Sequence, residues 1–274
     1  MLARSHSSSH RETSATSSVK CTRSQRSGLR MQADGLPRTR MTEYAYPGDE
    51  LDLFKHATHW KSYCGSALAP HIRGRVLEVG AGIGGTGRFL CTAGVSSWTC
   101  LEPDESLASR LRQGLDERPF PVPSRVLTGT LMSVPAGDAY DTLLYSDVLE
   151  HIPDDRGELR LAATHLSPHG RIVVLSPAGQ WLSSPFDEAV GHCRRYSRAS
   201  LVRAAPPTLR LIRAFYLDSA GLLASLANKI LLKSRMPTLG QIQFWDGYII
   251  PISTWLDPAC GHAVGKTVVA IWSR

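Results

Sequence analysis

A short apolar run that ends in closely spaced glycines constrains the fold of this chain more than any other feature of its sequence. Residues 75–79 read Arg-Val-Leu-Glu-Val, and Gly80, Gly82 and Gly84 follow before a predicted helix. Glycine allows a tight turn and lets a ligand approach the backbone, while free N–H groups at a helix start carry partial positive charge. The pattern predicts a ligand-binding turn after a buried strand, although the glycine spacing alone also fits a dinucleotide site.

Predicted strands and helices alternate along the chain from this turn onward. Short apolar runs predict strands at 75–79, 98–101, 125–127, 140–145 and 171–175, and helices are predicted at 86–93, 106–115 and 155–165. Such alternation specifies an α/β fold, a doubly wound, mostly parallel Rossmann-like sheet with helices on both faces. An amphipathic helix containing Leu51 and Tyr63 precedes the sheet. Two late strands, at 209–216 and 267–272, enclose an insertion whose helix has an apolar face.

Net charge separates the first 40 residues from the rest. The 274 residues carry +7; residues 1–40 hold eight basic and two acidic side chains, or +6, which leaves +1 for residues 41–274. A nearly neutral folded part gives no support to nucleic-acid binding. Residues 1–40 are rich in Ser and Arg and poor in apolar side chains, so we predict a disordered basic tail. It fits either an organellar transit peptide or an extended start before Met41.

Cysteine usage and hydrophobicity bear on location. The six cysteines form no CxxC pair, and the chain is not a small secreted scaffold, so reduced thiols in a cytoplasmic protein are predicted. No apolar run reaches the length of a bilayer span, so no stable membrane span is predicted. His56 and His59 share a probable helix but lack further ligands at a defined spacing, and no metal site is predicted.

Two carboxylates narrow the identity of the ligand at the glycine-rich turn. Glu78 lies two residues before Gly80, where an anion disfavours a pyrophosphate and favours an ammonium group. Glu102 ends the second predicted strand, where a carboxylate can accept hydrogen bonds from both ribose hydroxyls. The predicted ligand is therefore a nucleoside with a cationic amino-acid end and no phosphate, and S-adenosylmethionine has both parts.

Several segments resemble class I (Rossmann-like) S-adenosylmethionine-dependent methyltransferases of the bacterial small-molecule type. The segments that carry the resemblance are Val76–Gly84, Glu102-Pro103-Asp104, Gly129-Thr130-Leu131, Asp141–Ile152 and Leu166–Arg171. The match extends over residues 75–180 in motif order and spacing. It implies a seven-stranded sheet with a C-terminal antiparallel hairpin. Thr130 departs from the acidic residue of many relatives, so adenine recognition there is expected to rely on the backbone.

The resemblance also implies a domain plan and a set of cofactor-binding residues. A methyltransferase domain at 41–274 is expected, with a cofactor half at 72–180, acceptor-side elements and the insertion at 181–262, and a final strand at 263–274. S-adenosyl-L-methionine is the expected cofactor. The residues expected to bind it are Glu78, Gly80, Ala81, Gly82, Gly84, Glu102, Pro103, Thr130, Leu131 and Asp147.

The acceptor side is predicted from residues that follow the fourth and fifth strands. His151 follows the fourth strand and is a candidate catalytic base, or else it orients the loop together with Glu150. His192 is a second catalytic candidate, in a segment from Asp187 that is similar to a bacterial subset of these enzymes. His192, Arg194, Arg195 and Tyr196 are candidates for binding the acceptor, although both arginines could instead pair with Asp187 and Glu188.

The expected reaction is in-line transfer of a methyl group to an oxygen, nitrogen or carbon nucleophile of a small molecule. The partial resemblance and the apolar insertion suggest a glycosylated or lipid-linked acceptor. Two alternatives stay open: a nicotinamide-dependent oxidoreductase that uses the same glycine loop, and a non-catalytic protein that binds S-adenosylmethionine. The Tyr-x-x-x-Lys pair typical of many reductases is absent, and so is the Asn-Pro-Pro-Tyr motif that presents a flipped base. No oligomeric state is predicted.

Overall fold

The structure is a computed structural model that describes residues 45–48, 50–231 and 236–274, with the side chains of 227–231 left out. The predicted tail at 1–40 lies outside the described residues. Strands and helices alternate from residue 74 onward. Among the described residues, none of the helices combines the length and hydrophobicity that a bilayer crossing needs.

Seven strands form one sheet in the order β3-β2-β1-β4-β5-β7-β6. Their bounds are β1 Gly74–Val79, β2 Val95–Glu102, β3 Ser124–Thr128, β4 Tyr140–Ser146, β5 Leu166–Pro177, β6 Arg210–Leu217 and β7 Thr267–Ser273. The first five strands pair in parallel, whereas β7 lies antiparallel between β5 and β6. The predicted doubly wound sheet and its C-terminal antiparallel hairpin are confirmed.

Helices cover both faces of the sheet and its carboxyl edge. Their bounds are α1 Glu50–Phe54, α2 Thr58–Leu68, α3 Gly87–Leu90, α4 Glu105–Glu117, α5 Asp155–Thr164, α6 Pro185–Val190, α7 Arg198–Ala204, α8 Ser219–Leu231, α9 Leu239–Phe244 and α10 Ile250–Ala259. A π-helical turn, Trp245–Ile249, joins α9 to α10. This long second half adds four helices, α6, α7, α9 and α10, that were not predicted.

Side chains alternate between two apolar layers, as the pleat of a strand requires. Leu143 and Tyr145 of β4 pack with Leu159 of α5 and Leu201 of α7 on one face. Leu144 points to the opposite face, where side chains of β1 and β2 pack against α2 and α4. Because both faces are covered, the polar groups at the carboxyl ends of the parallel strands meet along one edge, where such sheets bind ligands.

Two predicted helices differ from those observed. The single helix predicted before the sheet is broken at Lys55–Ala57 into α1 and α2, and Ala57 at the break is fully buried. The helix predicted over 86–93 ends at Leu90, because the chain already turns there to begin β2 at Val95.

Candidate active site

A cleft of about 1150 Å³ opens at the carboxyl edge of the sheet. The glycine-rich turn and the ends of β2, β4 and β5 form its floor, while α1, α2, α8 and α9 contribute to its walls. Pockets for small molecules commonly span about 300–1,000 Å³. The cleft is therefore large enough for two ligands side by side.

The glycine-rich turn approaches the cleft with its backbone. The N–H groups of Gly80 and Ala81 both donate to the carbonyl of Leu101, which joins the end of β1 to β2. Gly80 has a φ of 68°, and a Cβ there would lie 2.6 Å from Val148. Gly80, Ala81 and Gly82 line the cleft.

Gly84 has a different position from its neighbours in the motif. It does not line the cleft, and a Cβ there would stand 2.3 Å from the side chain of Leu111. Its φ of 78° and its hydrogen bond to the carbonyl of Ala81 close the turn instead. Gly84 thus brings the turn against α4.

Glu102 lies at the end of β2 and faces the cleft. Its Oε2 accepts from the N–H of Gly82 at 2.7 Å, and its Oε1 accepts from the N–H of Asp104 at 3.0 Å. Burial raises the pKa of Glu102, whereas these two backbone donors lower it. Each carboxylate oxygen keeps capacity for a further donor. Pro103, Thr130 and Leu131 line the same end of the cleft.

Glu78 does not lie where the sequence predicts it. Its carboxylate is buried, does not line the cleft, and accepts a hydrogen bond from the indole of Trp98 at 2.8 Å. Burial raises its pKa to about 7. The alternation of a strand explains this placement, because Glu78 shares a face of β1 with Val76 and points into the layer of α2 and α4.

Asp147 follows β4 and faces the open cleft. Its φ is 54°, a left-handed conformation that is uncommon outside glycine, and its N–H donates to Leu175 of β5 at 2.9 Å. Enclosure by protein raises its pKa to about 6, while His192, Lys266 and Arg195 act in the opposite direction.

Glu150, His151 and His192 come together on the cleft lining, although 41 positions separate the two histidines. Glu150 is fully buried, and its Oε2 accepts from Ser176 Oγ at 2.8 Å. The two imidazole rings lie 4.7 Å apart, edge to face. Burial raises the pKa of Glu150 and lowers that of His151 to about 4. The cluster is polar, with Glu150 buried and both histidines half-buried.

The remaining acceptor-side candidates separate into two groups. Arg195 lines the cleft and makes two hydrogen bonds to Asp187, with Nε at 2.7 Å. Arg194 does not line the cleft; it donates to the carbonyls of residues 152 and 153 and pairs with Asp155. Tyr196 is buried and donates to Asp155 at 2.7 Å. Arg194 and Tyr196 therefore brace the loop after β4 and do not face a ligand.

The charged residues Glu50 and Lys61 are among the cleft residues that were missed from the sequence. Glu50 is buried with one oxygen bonded to Tyr46 and the other, Oε2, without a hydrogen-bond partner among the described residues. The ammonium group of Lys61 lies against Gly85. Lys61 interrupts the apolar stripe that runs from Ala57 to Cys64 on α2, and that interruption is the signal that could have identified it.

A family model described as "Methyltransferase domain" matches residues 53–206. No curated protein matches the chain significantly. Among solved structures, a chain in the complex between the Haloferax volcanii Trm112 methyltransferase activator and a putative methyltransferase is 17% identical, with coverage of 82% of this chain and 94% of that chain and a TM-score of 0.56.

Two further structures extend the comparison. A putative methyltransferase from Bacillus halodurans is 11% identical over 77% of this chain and 97% of that chain, with a TM-score of 0.52. The [4+2]-cyclase SpnF is 15% identical over 78% of this chain and 81% of that chain, with a TM-score of 0.54. At these identities the structures share the fold alone. The family model covers more than half of the chain, and the protein accordingly belongs to the methyltransferase domain family, the class I S-adenosylmethionine-dependent methyltransferases.

Proposed function

We propose that the cleft binds S-adenosylmethionine along the glycine-rich turn and positions its methyl group for transfer to a small-molecule acceptor with an apolar body. The observation that carries this proposal is the continuity of the cleft. The same cavity joins Glu102 and the glycine-rich turn to an aromatic and aliphatic wall next to the polar cluster of Glu150, His151 and His192.

The cofactor end of the cleft fits the chemical groups of S-adenosylmethionine. Glu102 has acceptor capacity for the ribose hydroxyls, and the backbone at Thr130 and Leu131 would contact the adenine. Asp147 and Glu50 are carboxylates in reach of an ammonium group, and Lys61 is a cation for the amino-acid carboxylate. When bound, the cofactor supplies a methyl group already activated on a sulfonium.

The acceptor end of the cleft is mostly apolar. Its wall is formed by Leu182, Phe186, Val190, Ile242 and Trp245. Such a wall would exclude water and hold an apolar body, so that the nucleophile lies in line with the methyl group. Arg195 would contact polar groups of the acceptor.

A glycosylated or lipid-linked acceptor falls within this proposal. Leu223, Phe244, Tyr248 and Trp255 are exposed apolar side chains on α8 and α9, the π-helical turn and α10. Phe244 also lines the cleft, so apolar surface continues from the cavity to the outside. A long apolar tail on an acceptor would be accommodated along this surface.

We also propose a cytoplasmic location. The five cysteines in the described part of the chain are free thiols, which persist in reducing compartments. Cell fractionation with an antibody to the full chain would measure this directly, and recovery in an organelle or outside the cell would contradict it.

Calorimetry followed by turnover tests the proposed function. We expect S-adenosylhomocysteine to bind the full chain with micromolar or tighter affinity and NADH not to bind. A transfer assay with S-adenosylmethionine labelled in the methyl group would then screen apolar phenols, amines, and glycosylated and lipid-linked alcohols. Binding of NADH alone would overturn the proposed cofactor. Tight cofactor binding with no methylation across the screen would favour a non-catalytic binding protein.

A further inference from the structure

Glu150, His151 and His192 bring together three side chains of the kinds that bind metal ions, and methyl transfer does not require such a set. One nitrogen from each imidazole and one oxygen of the carboxylate all lie within 4.8 Å of one another. They come from the turn after β4 and from the segment after α6, so the fold brings them together from separate parts of the chain. Two imidazoles and one carboxylate form a set that divalent transition metals bind.

The carboxylate of Glu150 has an unsatisfied oxygen. Its Oε1 is buried and has no hydrogen-bond partner among the described residues, and it lies 3.9 Å from Nε2 of His192. An unpaired buried acceptor is costly, so such groups normally have a partner. Two ligands that each bind a cation at about 2.1 Å are roughly 3.0–4.2 Å apart, depending on the angle between them. The observed separation suits a shared cation and is too long for a hydrogen bond.

His192 is oriented in the way that metal-bound histidines are. Its Nδ1 lies 2.7 Å from Oδ1 of Asp187, which is itself held by Nε of Arg195 at 2.7 Å. A carboxylate at Nδ1 fixes the proton there and leaves the lone pair of Nε2 directed at Glu150.

We propose that Glu150, His151 and His192 bind one divalent metal ion at the acceptor end of the cleft. Two imidazoles favour Mn²⁺, Fe²⁺, Co²⁺ or Zn²⁺ over Mg²⁺ and Ca²⁺. The coordination positions of the ion that these three side chains do not occupy would face the cleft beside Asp147. There the ion would bind an oxygen of the acceptor and lower the pKa of its hydroxyl group. That role rests on the proposed function, whereas metal binding itself does not.

Direct metal binding tests the site without turnover. The full chain, free of any histidine tag and treated with EDTA, is titrated with MnCl₂ by calorimetry and by electron paramagnetic resonance, in the absence of cofactor and acceptor. We expect one ion per chain. Glu150→Gln, His151→Ala and His192→Ala should each weaken binding at least tenfold, and Asp187→Asn should weaken it about 10- to 100-fold through His192.

His56→Ala is the matched control, because His56 is an exposed histidine outside the cleft. Its Mn²⁺ affinity should equal that of the wild type. Far-ultraviolet circular dichroism checks that each variant folds. If a histidine variant does not fold, Glu150→Gln, which keeps the shape of the side chain, tests the metal site instead. No Mn²⁺ binding by the wild type, or equal binding by Glu150→Gln, would overturn the site. Binding of S-adenosylhomocysteine by the same protein reports separately on the proposed function.

Discussion

The carboxylate of Glu102 accepts hydrogen bonds from two backbone amides and still faces the cleft. A charged acceptor in a buried setting contributes about 1.5–3 kcal/mol to each ligand hydrogen bond. We therefore expect Glu102→Gln to raise the Kd of S-adenosylhomocysteine about 10- to 100-fold, measured by calorimetry. Glu105→Gln, a change on the exposed surface three residues later, should leave the Kd unchanged. Equal affinities of Glu102→Gln and the wild type for S-adenosylhomocysteine would show that Glu102 does not bind the cofactor.

Glu78 links the stability of the core to pH. Its pKa is raised to about 7 in the folded protein from an ordinary value of 4.5, because its carboxyl group is buried. At pH values below 4.5 the carboxyl group of Glu78 is protonated in both the folded and the unfolded chain, so it does not lower the free energy of unfolding. As the pH rises from 4.5 to about 7, the unfolded chain ionises first. The free energy of unfolding therefore falls, by a total of about 3 kcal/mol.

Glu78→Gln imitates the protonated carboxyl group and can still accept from Trp98. Relative to the wild type, its free energy of unfolding should therefore increase between pH 5 and pH 8, by about 2–3 kcal/mol in urea unfolding. Glu117→Gln, at an exposed position, should show the same difference from the wild type at both pH values. A Glu78→Gln difference that does not change with pH would mean that Glu78 is ionised in the folded protein at pH 5.

The sequence predicted the positions of those cleft residues that lie in the glycine-rich turn or at the end of a strand. Gly80, Gly82, Glu102 and Asp147 line the cleft because motif position relative to a strand determines their place. Glu78 could not be placed this way, since only strand pairing decides which face its side chain takes. Arg194 and Tyr196 have the chemistry of ligand binders, but their partners in the loop after β4 are distant in sequence.

At the scale of elements, α2 has no capping residue in its own sequence. Its N-cap is Ala57, which has no side-chain acceptor, and Asp246 from the π-helical turn replaces it. Asp246 accepts from the N–H of His59 at 3.1 Å and from the N–H of Trp60 at 2.8 Å. This tertiary cap holds the wall of the cleft at α2 against the second half of the chain, where Trp245 packs on Trp60.

Asp246→Ala should remove this cap and leave both N–H groups of α2 unpaired. The loss of a side-chain cap costs about 0.5–2 kcal/mol, and burial of this one favours the upper half of that range. Urea unfolding of the full chain measures the change. Asp116→Ala, the same substitution at an exposed position on α4, should stay within about 0.5 kcal/mol of the wild type. A similar loss in both variants would contradict a specific cap.

Sequence periodicity predicted the strands and helices whose formation depends on neighbouring residues in the chain. The parallel strands were found within a few residues of their ends because each is a buried apolar run bounded by turn residues. α6, α7 and α9 were missed because they have only six or seven residues each. α10 has ten residues, but it packs on α2 and α8, which are distant from it in the sequence. The break between α1 and α2 has the same origin, since Ala57 is buried by Ile242 and Trp245.

At the scale of the whole molecule, two halves of the chain that are distant in sequence meet around one cavity. α1 and α2 contribute Glu50 and Lys61, the sheet edge contributes Glu102, and the second half contributes Trp245. A ligand that contacts several of these elements stabilises the folded chain as a unit, because it binds the folded state alone. The gain is about 2.7 kcal/mol when the free ligand is present at 100 times its Kd.

S-adenosylhomocysteine at 100 times its Kd should accordingly raise the Tm by about 5–11 °C, at 2–4 °C for each kcal/mol in a domain of this size class. Differential scanning calorimetry measures the shift, and NADH at the same concentration should give none. In Glu102→Gln the shift at that same concentration should shrink, because a weaker Kd lowers the degree of saturation. The shift is measured from the variant's own Tm without ligand, which should be lower than that of the wild type because the amide can accept from only one of the two backbone N–H groups. An equal shift with NADH would show that the cleft does not distinguish a phosphate-free nucleoside from a dinucleotide, and the carboxylates along the glycine-rich turn would then not determine the ligand.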